Sequence, residues 1–73
     1  MTVKDLDHYQ LLDLKDALFT AHVWNAGADA VPEYTRLTES DLAILDITET
    51  PWSIPDEIVL RVFDGIEFTD EDF

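Results

Sequence analysis

A chain of 73 residues, 47% of them hydrophobic, is long enough for one folded domain with a thin core and too apolar to be disordered throughout. The absence of cysteine excludes disulfides, a thiolate nucleophile and a cysteine-based metal centre. Seventeen acidic side chains against four lysines and arginines give a net charge of −13, which repels nucleic acids and anionic lipid surfaces.

The first predicted element is a helix over residues 8–24. Asp7 and Gln10 have the spacing of a capping box, in which each side chain accepts a hydrogen bond from the backbone N–H of the other residue. Thr2 and Asp5 have the same spacing and are a rival start one turn earlier. The leucines that follow at helical spacing are Leu11, Leu14 and Leu18.

Residues 25–29 are predicted to end this helix. Residues 30–37 are predicted to form a loop with at most a short extended piece, because Pro32 disfavours a regular helix there. Thr38 and Asp41 then repeat the capping-box spacing and predict a short helix over residues 39–47. The apolar side of this helix consists of Leu42, Ile44 and Leu45.

The last third of the chain fits two structures, because Asp64 and Gly65 between apolar runs are typical of either a hairpin turn or the end of a helix. A two-residue hairpin turn would mix apolar and charged residues on both faces of the hairpin. The helical alternative places the apolar residues on one stripe, so we favour a helix over residues 55–64. The acidic tail is expected to dock through Phe68.

These elements predict a mainly α fold: a compact single domain of about three helices. The pattern also leaves room for one short β element. The alternative fold class is α+β with a C-terminal hairpin. The residues expected to be buried together are Leu11, Leu14, Leu18, Phe19, Leu42, Leu45, Ile58, Val62 and Phe63. Most of the eight aromatic residues are expected in this core. Burial is favoured for Trp52 too, although its loop position makes it the aromatic residue most open to partial exposure.

No motif indicates catalysis. The two histidines, His8 and His22, are 14 residues apart on one predicted helix, roughly 21 Å along its axis, and cannot share a site within one chain. The sequence has no Gly-rich phosphate loop, no Gly-x-Ser-x-Gly nucleophile motif, no His-Glu-x-x-His pair and no EF-hand loop. We therefore expect no enzymatic activity, no cofactor and no dedicated metal site.

Two short segments resemble acyl carrier proteins, which are also small, acidic and helical. Gly27-Ala28-Asp29-Ala30-Val31 is similar to the Gly-Ala-Asp-Ser-Leu motif whose serine carries the phosphopantetheine arm, and Ile54-Pro55-Asp56-Glu57 is similar to a later segment of that family. Ala30 stands where the serine would be and has no hydroxyl to load. The similarity therefore implies no carrier function.

The negative charge is uneven along the chain. Residues 1–28 carry four acidic residues and two lysines, whereas residues 29–73 carry thirteen acidic residues and two arginines. The first residues lack a basic segment followed by an apolar run, and no apolar stretch is long enough to span a bilayer. We therefore expect a cytoplasmic protein, with no membrane association and no direct binding to nucleic acid, whose partner has a basic surface.

In size and charge the chain resembles the small acidic inhibitors that phages and mobile elements use against CRISPR and restriction nucleases. The resemblance implies a nucleic-acid mimic that acts in a bacterial host cell and occupies a basic channel of such a nuclease. The alternative is an acidic adaptor or regulatory module that binds other proteins. The residues expected to contact the partner are Glu33, Glu39, Asp41, Asp46, Glu49, Asp56, Glu57, Asp64 and Trp52.

Overall fold

A computed structural model describes all 73 residues and contains four α-helices joined by short turns. The helices are α1 (His8–Val23), α2 (Gly27–Ala30), α3 (Glu39–Ile47) and α4 (Asp56–Val62). Single turns of 3-10 helix lie at Val3–Asp5, Pro32–Arg36, Pro51–Ser53 and Asp70–Asp72. No strand is present, so the mainly α prediction is confirmed and the C-terminal hairpin is wrong. The three long helices begin and end within two residues of their predicted bounds.

The starts of α1 and α3 are set by the capping boxes that the sequence predicts. Asp7 Oδ1 accepts from the Gln10 N–H at 2.9 Å, and Gln10 Oε1 accepts from the Asp7 N–H at 3.0 Å. At α3 the Thr38 N–H donates to Asp41 Oδ2 at 2.9 Å, and the Asp41 N–H donates to Thr38 Oγ1 at 3.2 Å. These bonds satisfy amide groups that have no partner inside the helix, which fixes where each helix begins.

The rival start at Thr2 is also used, but for a separate element. The Thr2 N–H donates to Asp5 Oδ2 at 2.9 Å, and this bond closes the single turn Val3–Asp5 rather than the first turn of α1. Val3 and Leu6 at the ends of this turn are buried. The N-terminal segment therefore adds two apolar side chains to the core before α1 begins.

The end of α1 is a Schellman motif built on Asn25. This residue has φ 54°, and its N–H donates to the His22 carbonyl at 3.3 Å. The next amide, that of Ala26, donates to the Ala21 carbonyl at 2.9 Å. Asparagine is one of the few residues other than glycine that tolerates a positive φ, so it can end the helix here.

The segment after α1 was predicted to be a loop with at most a short extended piece, and this is corrected: it contains two short helical pieces and no strand. Gly27, at φ +44°, opens α2, and a β-carbon at this position would lie 3.4 Å from the ring of Tyr34. Pro32 opens the following turn, Pro32–Arg36, where its missing N–H costs no hydrogen bond. The proline excluded a long helix but permitted a single 3-10 turn.

The chain after α4 returns to the N-terminal segment. Gly65 has φ +80° and lies in a turn closed by the Ile66 N–H and the Phe63 carbonyl at 3.3 Å, so Asp64-Gly65 ends a helix as predicted. Phe68 is buried with its ring centre 6.2 Å from that of Phe63, which confirms that the tail docks through this residue. The Phe68 N–H also donates to the Met1 carbonyl at 2.6 Å.

The core is centred on α1 and α4, with contributions from the turns. Six of the predicted core residues are buried: Leu14, Leu18, Leu45, Ile58, Val62 and Phe63. The other three predicted residues are half-buried at its edge: Leu11, Phe19 and Leu42. Val3, Leu6 and Ile54 are also buried, and helical periodicity could not identify them because they lie outside the long helices.

Replacing a core leucine should remove a large part of the stability. Leu18 is 0% exposed on α1, so Leu18→Ala should lower the free energy of unfolding by ~2–5 kcal/mol, through lost burial and the cavity left behind. Ile47, 81% exposed at the end of α3, is the matched control, and Ile47→Ala should change stability by less than about 0.5 kcal/mol. Equal losses in urea unfolding of the two variants would contradict this core.

Candidate protein-binding surface

Lys15 points into the protein although it carries a charge. It is 5% exposed on α1, and its Nζ lies 2.5 Å from Oδ1 of Asp56, the first residue of α4. A buried ammonium group requires an opposite charge, which Asp56 supplies. The negative charge of Asp56 also interacts favourably with the positive, N-terminal end of the α4 dipole. The carboxylate of Asp56, predicted to contact a partner, is therefore already paired with a cation of this chain.

Arg61 on α4 holds Asp41 on α3 in a bidentate ion pair. The two guanidinium nitrogens donate to the two carboxylate oxygens at 2.8 and 2.6 Å. Asp41 is 4% exposed, and the hydrogen bonds from Arg61 are the main cause that lowers its pKa to about 2, aided by those from Thr38. Asp41 was predicted to contact a partner, and this is corrected: the residue caps α3 and anchors α4 from inside the fold.

Arg36 closes the other end of α4. Its Nη1 donates to the carbonyl oxygens of Val62 at 3.0 Å and of Asp64 at 2.8 Å, groups that the end of the helix leaves without amide partners. Lys15 pairs with Asp56 and Arg61 pairs with Asp41, so Lys4 is the one lysine or arginine that makes neither an ion pair nor a hydrogen bond. The acidic residues on the surface therefore have few cations of this chain near them.

Two further predicted contact residues lie in a patch of mixed charge. Glu57 and Asp64 line a groove of about 470 Å³ together with Lys4, Leu60 and Arg61. The fold brings Lys4 from the N-terminal segment to the outside of α4. The acidic residues on this side of the protein are therefore mixed with basic ones.

Asp46 belongs to a hydrogen-bonded chain with His22 and Tyr34. The Nε2 atom of His22 lies 2.6 Å from Asp46 Oδ1, and its Nδ1 atom lies 2.7 Å from the Tyr34 hydroxyl oxygen. Burial, and to a lesser degree the negative charge of Asp46, raises the pKa of Tyr34. These hydrogen bonds link α1, the turn Pro32–Arg36 and α3 through His22, which is half-buried.

The remaining predicted carboxylates are exposed to different degrees. Glu39 and Glu49, at the two ends of α3, are exposed and make no ion pair. Glu33 is half-buried in the turn before α3. No group of three or more acidic, histidine or cysteine side chains is arranged to hold a metal ion.

The outer face of α1 carries exposed aromatic and acidic residues that the sequence did not single out. Because Lys15 points inward, no cation of this helix opposes its outward-facing carboxylates. Tyr9 at one end is 77% exposed and Trp24 at the other is 76% exposed. Trp52 and Phe73 are exposed too, so four of the eight aromatic residues lie outside the core and the expectation that most are buried is wrong. The outward-facing residues follow the helical repeat and are Tyr9, Asp13, Asp16, Thr20 and Trp24.

Trp52 lies beside this face and is 67% exposed, so the favoured burial of this residue is also wrong. Its turn, Pro51–Ser53, packs on α1 and is closed by the Ser53 N–H and the Thr50 carbonyl at 3.1 Å. The next residue, Ile54, is 1% exposed and anchors the turn in the core. Between Trp52 and α1 lies a groove of about 260 Å³, lined by Leu12, Asp13, Asp16, Pro51 and Trp52.

Comparison with known proteins finds no family model that matches this chain and no curated protein or solved structure with significant similarity to it. No helix has both the length and the apolar composition needed to cross a bilayer. The function of the chain therefore has to be inferred from its surface.

The pair between Asp41 and Arg61 should be visible in acid unfolding. Because the folded pKa of about 2 lies below the unfolded value of about 3.9, this carboxylate contributes stability above about pH 4 that is lost as the pH falls to about 2. Asp41→Asn should lower the free energy of unfolding by about 1–3 kcal/mol at pH 7 and weaken its pH dependence in this window.

Glu49→Gln is the control for this variant, since Glu49 is exposed and unpaired. Urea unfolding of both variants from pH 2 to 7 checks the assignment. An acid transition in Asp41→Asn with the same steepness as in the parent protein would contradict it.

Proposed function

We propose that this chain is a non-catalytic acidic binding protein that acts in the cytoplasm and blocks the basic nucleic-acid channel of a CRISPR or restriction nuclease. The observation that supports the proposal is the placement of the cations. Lys15 pairs with Asp56 on α4, Arg36 donates to the end of α4, and Arg61 on α4 pairs with Asp41 on α3. Most of the surface carboxylates therefore have no cation of this chain as a partner. A surface of this kind steers association with a cationic partner and repels nucleic acid itself.

The density of charge limits how such mimicry would work. Seventeen carboxylates on an accessible surface of 4740 Å² correspond to about 280 Å² for each, whereas a DNA duplex presents roughly one charge per 100 Å². The whole surface is therefore too dilute to resemble a duplex. Inhibition would depend on a contact face where unpaired acids concentrate. Glu39 and Glu49 are predicted residues that are exposed, make no ion pair and do not line the groove that contains Lys4.

A second candidate function is an adaptor or regulatory module, and the exposed aromatic residues favour it. Tyr9, Trp24 and Trp52 are each at least two-thirds exposed, and all three lie on or beside α1. Tryptophan and tyrosine are enriched among the residues that contribute most to the affinity of protein interfaces. An adaptor would use these side chains as anchors and the acids for orientation, with no need to occupy a nucleic-acid site.

Competition with DNA distinguishes the two functions. Labelled DNA is bound to guide-loaded CRISPR nucleases and to restriction nucleases, and the chain is added up to saturating concentration. The proposed inhibitor displaces the DNA from at least one of them, and it does so less well as salt rises, because surface charges are screened over about 8 Å at physiological ionic strength. A nuclease that binds the chain and still binds DNA with unchanged affinity would favour the adaptor.

Charge reversal gives the residue-level test of the same proposal. Glu39→Lys combined with Glu49→Lys should lower the association rate for the nuclease about tenfold with a smaller effect on dissociation, since steering acts mainly on encounter. The control is Ala43→Ser, an uncharged change at an exposed position of α3 between them. Association rates that are equal for the two proteins would show that these acids do not face the partner.

A further inference from the structure

We propose that the groove between α1 and Trp52 receives one arginine side chain of the partner, an inference that rests on the proposed binding to a basic protein. The groove combines three features that favour a long cationic side chain. It has an exposed indole on one side, two carboxylates on the other and a volume of about 260 Å³. Pockets that hold drug-sized ligands begin at about 300 Å³, so a single long side chain fits better than a complete small molecule.

The turn that carries Trp52 is held in position before any partner arrives. Pro51 restricts the backbone on one side, and the Ile54 N–H donates to the Pro51 carbonyl at 3.1 Å on the other. The hydroxyl oxygens of Thr50 and Ser53 lie 2.7 Å apart and close the same turn. A partner side chain that stacks on Trp52 would therefore not have to order this segment on binding.

The carboxylates of Asp13 and Asp16 have no cation of their own. They lie three residues apart on one helix face, a spacing at which like charges repel and weaken the helix. The nearest lysine along the chain, Lys15, is buried and paired with Asp56. A cation brought by a partner would relieve this repulsion, which makes the groove complementary to a positive charge.

Arginine matches this arrangement better than lysine does. Its planar guanidinium stacks on an aromatic face and at the same time donates to carboxylates through several N–H groups. The ammonium of lysine is more strongly hydrated and offers no plane to stack. Pro51 and Leu12 supply apolar contacts for the methylene groups of the arginine stem.

The test uses short blocked peptides and the folded protein. A peptide with a single arginine between glycines is titrated into isotopically labelled protein, and its affinity is read from the amide shifts of residues 12–16 and the Trp52 indole. The same peptide with citrulline, which keeps the shape and lacks the charge, is the ligand control. We expect saturable shifts at these positions with arginine, at least about threefold weaker binding with lysine, and no saturation with citrulline.

Variants show which side chains form the groove. Trp52→Ala, and separately Asp13→Asn with Asp16→Asn, should each weaken arginine binding about threefold to tenfold. Trp24→Ala removes an equally exposed indole elsewhere on α1, and Asp70→Asn with Glu71→Gln removes two charges from the tail, so both control proteins should bind within about twofold of the parent. All of the changed side chains are exposed, so the variants keep the folded core.

The outcomes separate this inference from the proposed function. Equal binding of arginine, lysine and citrulline peptides, or equal losses in the groove variants and their controls, would overturn the arginine site. If the groove variants still displaced DNA from a nuclease as well as the parent, the arginine site would be wrong while the inhibitor proposal stood. If arginine bound as described and no nuclease lost its DNA, the site would stand and the inhibitor proposal would fall.

Discussion

The attachment of α4 by basic side chains is the constraint on which the rest of the structure depends. A helix of seven residues does not form by itself in water, because nucleation is unfavourable and few hydrogen bonds follow it. Here Lys15 pairs with its first residue, Arg61 joins it to α3, and Arg36 donates to the carbonyls at its end. Its other face, including Ile58, Val59 and Val62, is buried in the core. A chain with only four basic side chains has thus placed three of them around one short element.

Because these cations are bonded within the fold, most of the surface carboxylates have no ion pair with a cation of this chain. The lysines and arginines could have formed ion pairs with acidic residues anywhere on the surface. The two ion pairs that they do form, Lys15–Asp56 and Arg61–Asp41, both involve α4. The outer face of α1 is the clearest consequence, because the one lysine of that helix points inward while Asp13 and Asp16 point outward beside Trp52. Fold stability and the proposed recognition of a basic partner therefore have the same cause. The groove that contains Lys4 is the part of the surface where acidic and basic side chains are mixed.

Local signals predicted the helices well, and contacts between distant residues decided the rest. The capping boxes at Asp7 and Thr38 and the turn at Gly65 act within a few residues, so the chain itself determines them. Asp41 was read correctly as a cap but wrongly as a contact residue, because its pairing with Arg61 twenty residues away leaves no trace in a local pattern. The exposure of Trp52 depends on how its turn packs against α1, which is likewise a tertiary feature. Inward-pointing Lys15 could have been suspected only from its place among the leucines of α1.

The burial of Lys15 is the most direct point at which to test this account. The native protein is treated with a low concentration of acetic anhydride, and the rate of acetylation at each lysine is measured by mass spectrometry. Lys4 is exposed and unpaired and serves as the internal reference, whereas Lys15 is 5% exposed and paired with Asp56. The account predicts that Lys15 reacts at least about a hundredfold more slowly than Lys4, and that the difference disappears in urea, because access requires opening of the fold. Equal rates at the two lysines in the native protein would contradict the burial of Lys15, on which its pairing with α4 and the uncompensated outer face of α1 both rest.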